Sequence, residues 1–164
     1  MKKLIVLLLL LGGISTVFAV NNNDDNVDVN WTIPAVNSID IDDEAIDIGE
    51  LNHTVGNVNF DDATSSGTYD YASNQTSERK ITAELTSANV AAGNLYLTLD
   101  DPNTETAGSE VDITNSYGSA VDAVEGISAD SKINLSIKFD VKNVPASTSA
   151  GDISHNCKLT ILAN

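Results

Sequence analysis

From residue 27 onward the chain alternates between apolar and polar positions. Val27, Val29, Trp31 and Ile33 take turns with Asp28, Asn30 and Thr32, until Pro34, which has no amide proton to give to a ladder, ends the run. Ile39 with Ile41, then Ile46 with Ile48, predict two short strands on either side of the acidic turn Asp42, Asp43, Glu44. Val58 with Phe60 adds another, and Tyr69 with Tyr71 begins the next. Ile81, Ala83 and Leu85 alternate with Thr82, Glu84 and Thr86, as do Leu95, Leu97 and Leu99 with Tyr96 and Thr98. Val111 with Ile113, and residues 120–124, carry the pattern more weakly. It ends in two clear runs, Ile133, Leu135, Ile137, Phe139, Val141 and then Cys157, Leu159, Ile161, Ala163. A period of two sends successive side chains to opposite faces of a strand, and no stretch holds the i, i+3, i+4, i+7 spacing of an amphipathic helix. Gly, Asn, Asp and Ser clusters at 91–94 and 147–152 supply turn chemistry between the runs. The pattern predicts an all-β, antiparallel sandwich of about eight strands, each with one face in the core and one in water.

The first residues read differently. Lys2 and Lys3 precede an apolar run over 4–11, Gly12 and Gly13 interrupt it, and Val17, Phe18 and Ala19 lead into a polar stretch that begins Asn21, Asn22, Asn23, Asp24, Asp25. A basic start, an apolar middle and small residues before a polar mature end are the features of a secretory signal peptide, which predicts residues 1–19 as the signal with cleavage after Ala19. The apolar run is shorter than the ~20 residues that span a bilayer. No cysteine stands at the cut for a lipid anchor. Residues 20–26 then form an Asn/Asp-rich lead-in, and 27–164 one domain, large enough for a core of its own.

Charge narrows the partners. The 164 residues carry 24 acidic and 8 basic side chains, a net −16 that becomes −18 when Lys2 and Lys3 leave with the signal. Such a surface repels phosphate backbones and anionic lipid, which argues against nucleic acid and anionic membranes as partners, and no later segment is apolar enough for the mature chain to insert in a membrane. Cys157 is the only cysteine, so no disulfide can form within the chain.

Three local patterns resemble secreted bacterial sandwich subunits of the pilin and spore-coat type. They are Ile46-Asp47-Ile48-Gly49-Glu50-Leu51, the stretch from Ser73-Asn74 through Arg79-Lys80 into Ile81-Thr82-Ala83-Glu84-Leu85, and Ala150-Gly151-Asp152-Ile153 ahead of the last strand. The resemblance implies an immunoglobulin-like fold, no catalysis, and subunits that join by lending a strand to a neighbour. The chain departs from it in lacking a cysteine pair and in ending Ala163-Asn164 without an aromatic residue.

Candidate chemistry is sparse. His155 and Cys157 lie two apart and would share a strand face, but Cys157 is in phase with Leu159 and Ile161 and reads as core filler. The carboxylates are numerous without a marked facing pair, so no enzyme is expected. Hard cations take oxygen ligands from loops with closely spaced Asp, Asn and Glu, which makes Asp100, Asp101, Asn103 and Glu105 a candidate Ca²⁺ site, with Asp40, Asp42, Asp43 and Glu44 as a second. Trp31 reads as inward-facing, and only Tyr96 and Tyr117 could offer an outward platform to a sugar. The expected function is a secreted structural or adhesive subunit of a cell surface or extracellular filament, self-associating through exchange of the strand carrying Val27, Val29, Trp31 and Ile33. The alternative is a calcium-dependent binding module for glycans or surface polymers.

Overall fold

The computed structural model describes residues 30–43, 45–128 and 130–164. The expected signal peptide, the lead-in, Val27, Val29 and Glu44 lie outside the described residues. The chain divides after Ile33 into two units. Of the first, residues 30–33 carry no strand pairing, and Trp31 and Ile33 expose their side chains.

Among its described residues the second unit contains nine strands: β1 (Asn37–Ile41), β2 (Ala63–Ser73), β3 (Arg79–Leu85), β4 (Asn94–Asp101), β5 (Thr106–Ala107), β6 (Val111–Asp112), β7 (Val121–Ile127), β8 (Asp130–Lys142) and β9 (Cys157–Ala163). No helix occurs among the described residues. Six strands form one sheet in the order β1-β2-β8-β4-β5, with β6 also on β4, and three form a second in the order β7-β3-β9. Every pairing is antiparallel.

One core joins the two sheets. Tyr69 and Tyr71 of β2, Leu95, Leu97 and Leu99 of β4, and Leu135 and Ile137 of β8 pack with Ile81, Ala83 and Leu85 of β3 and Ala123, Val124 and Ile127 of β7. In β2, β3, β4 and β8 these are alternate residues, as burial of one face requires, whereas in β7 the neighbours Ala123 and Val124 are both buried where the register with β3 shifts. Polar groups at strand ends inside this core still need partners. A short crossover, residues 113–116, provides them for both sheets. Ile113 N–H donates to the Leu95 carbonyl at 2.9 Å, and Thr114 Oγ1 accepts from Leu95 N–H at 2.9 Å. Ser116 Oγ accepts from Leu85 N–H at 3.0 Å and donates to the Ile113 carbonyl at 2.9 Å. The end of β3 and the start of β4 are thereby tied to the same four residues.

Several expectations change on contact with the structure. Ile46 and Ile48 alternate but belong to no strand. After Asp42, whose N–H donates to the Thr68 carbonyl at 3.1 Å, the chain leaves the sheet edge, and the two isoleucines lie half-buried against the core as a cover without a ladder partner. Gly67 leaves room for that cover, because a Cβ there would sit 2.2 Å from the Asp43 carboxylate and 3.2 Å from Ile46 Cδ1. The segment around Val58 and Phe60 makes one isolated bridge, Asn59 with Pro145, instead of a strand. Conversely, β2 begins at Ala63, through Thr, Ser and Gly residues that show no apolar alternation.

Ile133 also leaves the phase assigned to it. Tyr69 faces Leu135 but Tyr71 faces Lys132, so Asp70 stands opposite both Ile133 and Asn134, which is a β-bulge. Asn134 takes a left-handed φ of 57°, and its N–H donates to Asp70 Oδ1 at 2.9 Å. Asn is among the few non-glycine residues that adopt this conformation at low cost. The extra residue turns Ile133 outward, 70% exposed, while Leu135 and Ile137 stay buried.

Two substitutions test this account by urea unfolding. Ser116→Ala strands the buried Leu85 N–H and should lower stability by about 1–3 kcal/mol. Gly93 has a φ of 77°, and a Cβ there would lie 2.6 Å from Val144 Cγ2 and 2.8 Å from the Lys142 carbonyl oxygen. Gly93→Ala should cost about 2–4 kcal/mol through strain and overpacking together.

Candidate functional site

The four oxygen-bearing residues of the first candidate cation site do share one hairpin, between β4 and β5. The hairpin is set locally: the Asp101 carbonyl accepts from Thr104 N–H at 3.1 Å and Glu105 N–H at 2.8 Å, and Glu105 takes a φ of 54°. Their side chains serve different neighbours. Asp100 Oδ2 accepts from Ser136 N–H of β8 at 2.9 Å, while its backbone carbonyl takes the hydroxyl of the buried Tyr69. Asp101 Oδ1 accepts from Asn103 N–H at 2.8 Å. Asn103 bridges to the end of β7 and the turn that follows it, donating to the Gly126 carbonyl at 3.1 Å and accepting from Ser128 N–H at 3.0 Å. Glu105 meets Lys132 at 2.6 Å, and Lys132 also meets Asp130 at 3.3 Å. The hairpin is thus sewn to β8 and to the turn before it. Among the described residues, no three His, Cys, Asp or Glu side chains converge as metal ligands do.

In the second acidic cluster, Asp42 Oδ2 accepts from Thr68 Oγ1 at 2.7 Å, and Asp43 lies over Gly67. Asp40 stands directly opposite Asp70 in the β1–β2 register. Like charges in that position repel. Nothing in the chain's local spacing reveals this juxtaposition, because the two residues are 30 positions apart and meet only through the register.

The remaining candidates separate. Cys157 is half-buried against the core, and burial pushes its thiol up to about 11 from an ordinary 9.0, which keeps it a thiol at neutral pH. Neither ring nitrogen of His155 has a hydrogen-bond partner among the described residues, so no Cys–His pair forms. His53 is a loop residue, its Nε2 3.1 Å from the Asn57 carbonyl oxygen and its ring edge-on to Phe60 at 5.5 Å. Tyr96 does face outward, but Lys142 Nζ sits 4.7 Å from the centre of its ring and 2.6 Å from Glu110. The face a sugar would stack on is taken. Tyr117 is exposed in a loop, its N–H on Asn89 Oδ1 at 3.1 Å.

Lys80, Lys132, Lys138 and Lys142 are each already paired with a carboxylate. The large excess of negative charge is left to the solvent and its ions. Moderate NaCl should therefore raise the melting temperature from its low-salt value, and Asp40→Asn should raise it at low salt and shrink the salt effect. A melting curve indifferent to salt would contradict this.

Alkaline pH gives a second test. Burial raises Tyr69 far above its ordinary 10.0, with Asp100 and Asp101 adding to the effect, and burial also raises Tyr71. Together with Cys157, these groups hold protons in the folded chain that the unfolded chain releases from about pH 9 upward. The unfolded state then binds fewer protons, so stability falls as pH rises through this window. Urea midpoints measured across it should decline, and Cys157→Ala should delay the onset.

Comparison of the chain with family models, with curated proteins and with solved structures finds no match.

Proposed function

We propose that the chain is a secreted structural or adhesive subunit of a cell surface or an extracellular filament, with an immunoglobulin-like sandwich as its folded body. The observation that carries the reading is the segment before Pro34. Residues 27–33 alternate Val, Asp, Val, Asn, Trp, Thr, Ile, which is the pattern of a strand with one buried face. Yet residues 30–33 carry no strand pairing, and Trp31 and Ile33 are exposed. A strand pattern whose described residues, 30–33, pair with no sheet is a chain segment suited to completing the sheet of a neighbour. Burying Val27, Val29, Trp31 and Ile33 there would contribute on the order of 6–12 kcal/mol before ordering costs. The antiparallel two-sheet body with one shared core supports the immunoglobulin-like reading, and the Asn/Asp-rich lead-in supports a soluble tether outside the cell.

Negative-stain microscopy of the mature protein, with and without chelator, tests the proposal. Elongated assemblies should form in both conditions, and Trp31→Asp should abolish their growth while leaving the circular dichroism spectrum sheet-rich. Strictly monomeric particles at high concentration would overturn it. Discrete particles whose glycan retention disappears in chelator would select the calcium-dependent binding module instead.

A further inference from the structure

The two sheets have four edges, and three of them are blunted. β1 is five residues long, carries Asp40 and is followed by Asp42 and Asp43. The outer side of β4 is taken by the two-residue strands β5 and β6. β7 carries Asp122 and Glu125, has Gly126 in a left-handed conformation and pairs with β3 through two register shifts. Short strands, inserted charge and irregular register are the features that stop a sheet edge from pairing further.

β9 has none of these. It pairs with β3 in unbroken register over seven residues, contains no Gly or Pro, and bears a single charge, Lys158. On its other side no strand pairs among the described residues. Its inward residues Cys157, Leu159 and Ile161 are only half-buried, and Leu162 on the outer face is 44% exposed.

The phase of its free groups follows from the bonds that flank it. Thr86 N–H donates to the Asn156 carbonyl at 2.9 Å, and Asn164 N–H to the Glu78 carbonyl at 3.1 Å, so the even-numbered residues of β9 direct their backbone groups to β3. In an antiparallel ladder alternate residues turn their N–H and C=O to opposite sides. Cys157, Leu159, Ile161 and Ala163 therefore present theirs to the free edge.

We propose that β9 pairs antiparallel with β9 of a second copy, about a two-fold axis at Thr160, to make one continuous six-stranded sheet from two three-stranded ones. This register uses all seven residues. It sets Cys157 against Ala163 and Leu159 against Ile161 as hydrogen-bonded pairs, which are the residues whose backbone groups are free. On the outer face it sets Lys158 against Leu162, so the one charge meets no like charge, and the lysine stem covers the exposed leucine. Shifting the axis to residue 158 would place the two lysines face to face. In a chain this acidic, β9 itself brings no carboxylate to the contact, although the acidic strand β1, with Asp40, packs close to it. The contact is isologous and closes as a dimer. It does not depend on exchange of residues 27–33.

Thr160 is predicted to face its own copy as a non-hydrogen-bonded pair, with Cα atoms about 4.5 Å apart, inside the roughly 4.4–6.8 Å that a disulfide spans. In a full-length mature chain with Cys157→Ala, Thr160→Cys should form a disulfide-linked dimer on mild oxidation at least about tenfold faster than Lys158→Cys or Leu162→Cys alone, because the thiols are held together in a preformed dimer. Mixing the latter two variants should give the heterodimer at a rate like that of Thr160→Cys. Sedimentation of the unmodified protein should show a concentration-dependent dimer that Trp31→Asp leaves intact. Equal rates for all three single variants, or a strict monomer in sedimentation, would overturn the proposal. So would loss of the dimer in Trp31→Asp, which would give the β9 edge to residues 27–33. Filaments that persist without Thr160→Cys cross-linking would sink the β9 contact while leaving strand exchange in place.

Discussion

The structure rests on the burial of alternate side chains from two sheets against one another. With a single cysteine and no helix among the described residues, neither a disulfide nor a covering helix holds the layers together. The inward rows of β2, β4 and β8 meet those of β3 and β7, and each buried side chain of this size contributes on the order of 1.5–3 kcal/mol. That burial requires every backbone group it encloses to be paired, since an orphaned buried donor returns much of the gain. The hydroxyls of Thr114 and Ser116 follow from this requirement. They satisfy Leu95 and Leu85 at the points where the ladders of the two sheets run out, and in doing so fix the sheets to each other.

Strands were legible in the sequence where one face is dry and the other wet. Ile81 to Leu85, Leu95 to Leu99 and Leu135 to Val141 lie within the strands their alternation predicts. The same signal misleads at Ile46 and Ile48, because two apolar residues spaced by two can lie over a core without a neighbouring backbone to bond. It is silent from Ala63 to Thr68, where a strand of small polar residues takes its place from its partner β8. Ile133 shows a third limit. Its phase depends on the bulge opposite Asp70, and an extra residue in a strand shifts the face of everything beyond it.

Oxygen ligands pose a similar problem. Spacing within a loop places Asp101, Asn103 and Glu105 close in sequence, but convergence depends on where each side chain finds its first partner. Here those partners are a local amide, the β7–β8 turn and Lys132. Asp40 and Asp70, which nothing in the local sequence connects, end up facing each other across a ladder. In a chain with so few cations, each lysine matters to where the negative potential is relieved. Four of them are already held by carboxylates in the folded body, and Lys158 on β9 is in no ion pair among the described residues.

That distribution of charge bears on assembly. Approach between copies is opposed over most of the acidic surface, and β9 itself adds no carboxylate to that opposition while leaving its inward residues half-buried. A two-fold contact along this edge is self-limiting, because each copy has one such edge and a dimer uses both. Growth into a filament needs a second contact that is not its own mate, in which one surface of a subunit meets a different surface of the next. A donated strand is a contact of that kind, since the segment given and the groove receiving it are distinct. On the proposed reading the two contacts therefore do different work: the β9 edge pairs subunits side by side, and the segment around Trp31 carries the chain of subunits forward. Salt would act on both in the same direction by screening the acidic surfaces, whereas loss of Trp31 would leave pairs that no longer extend.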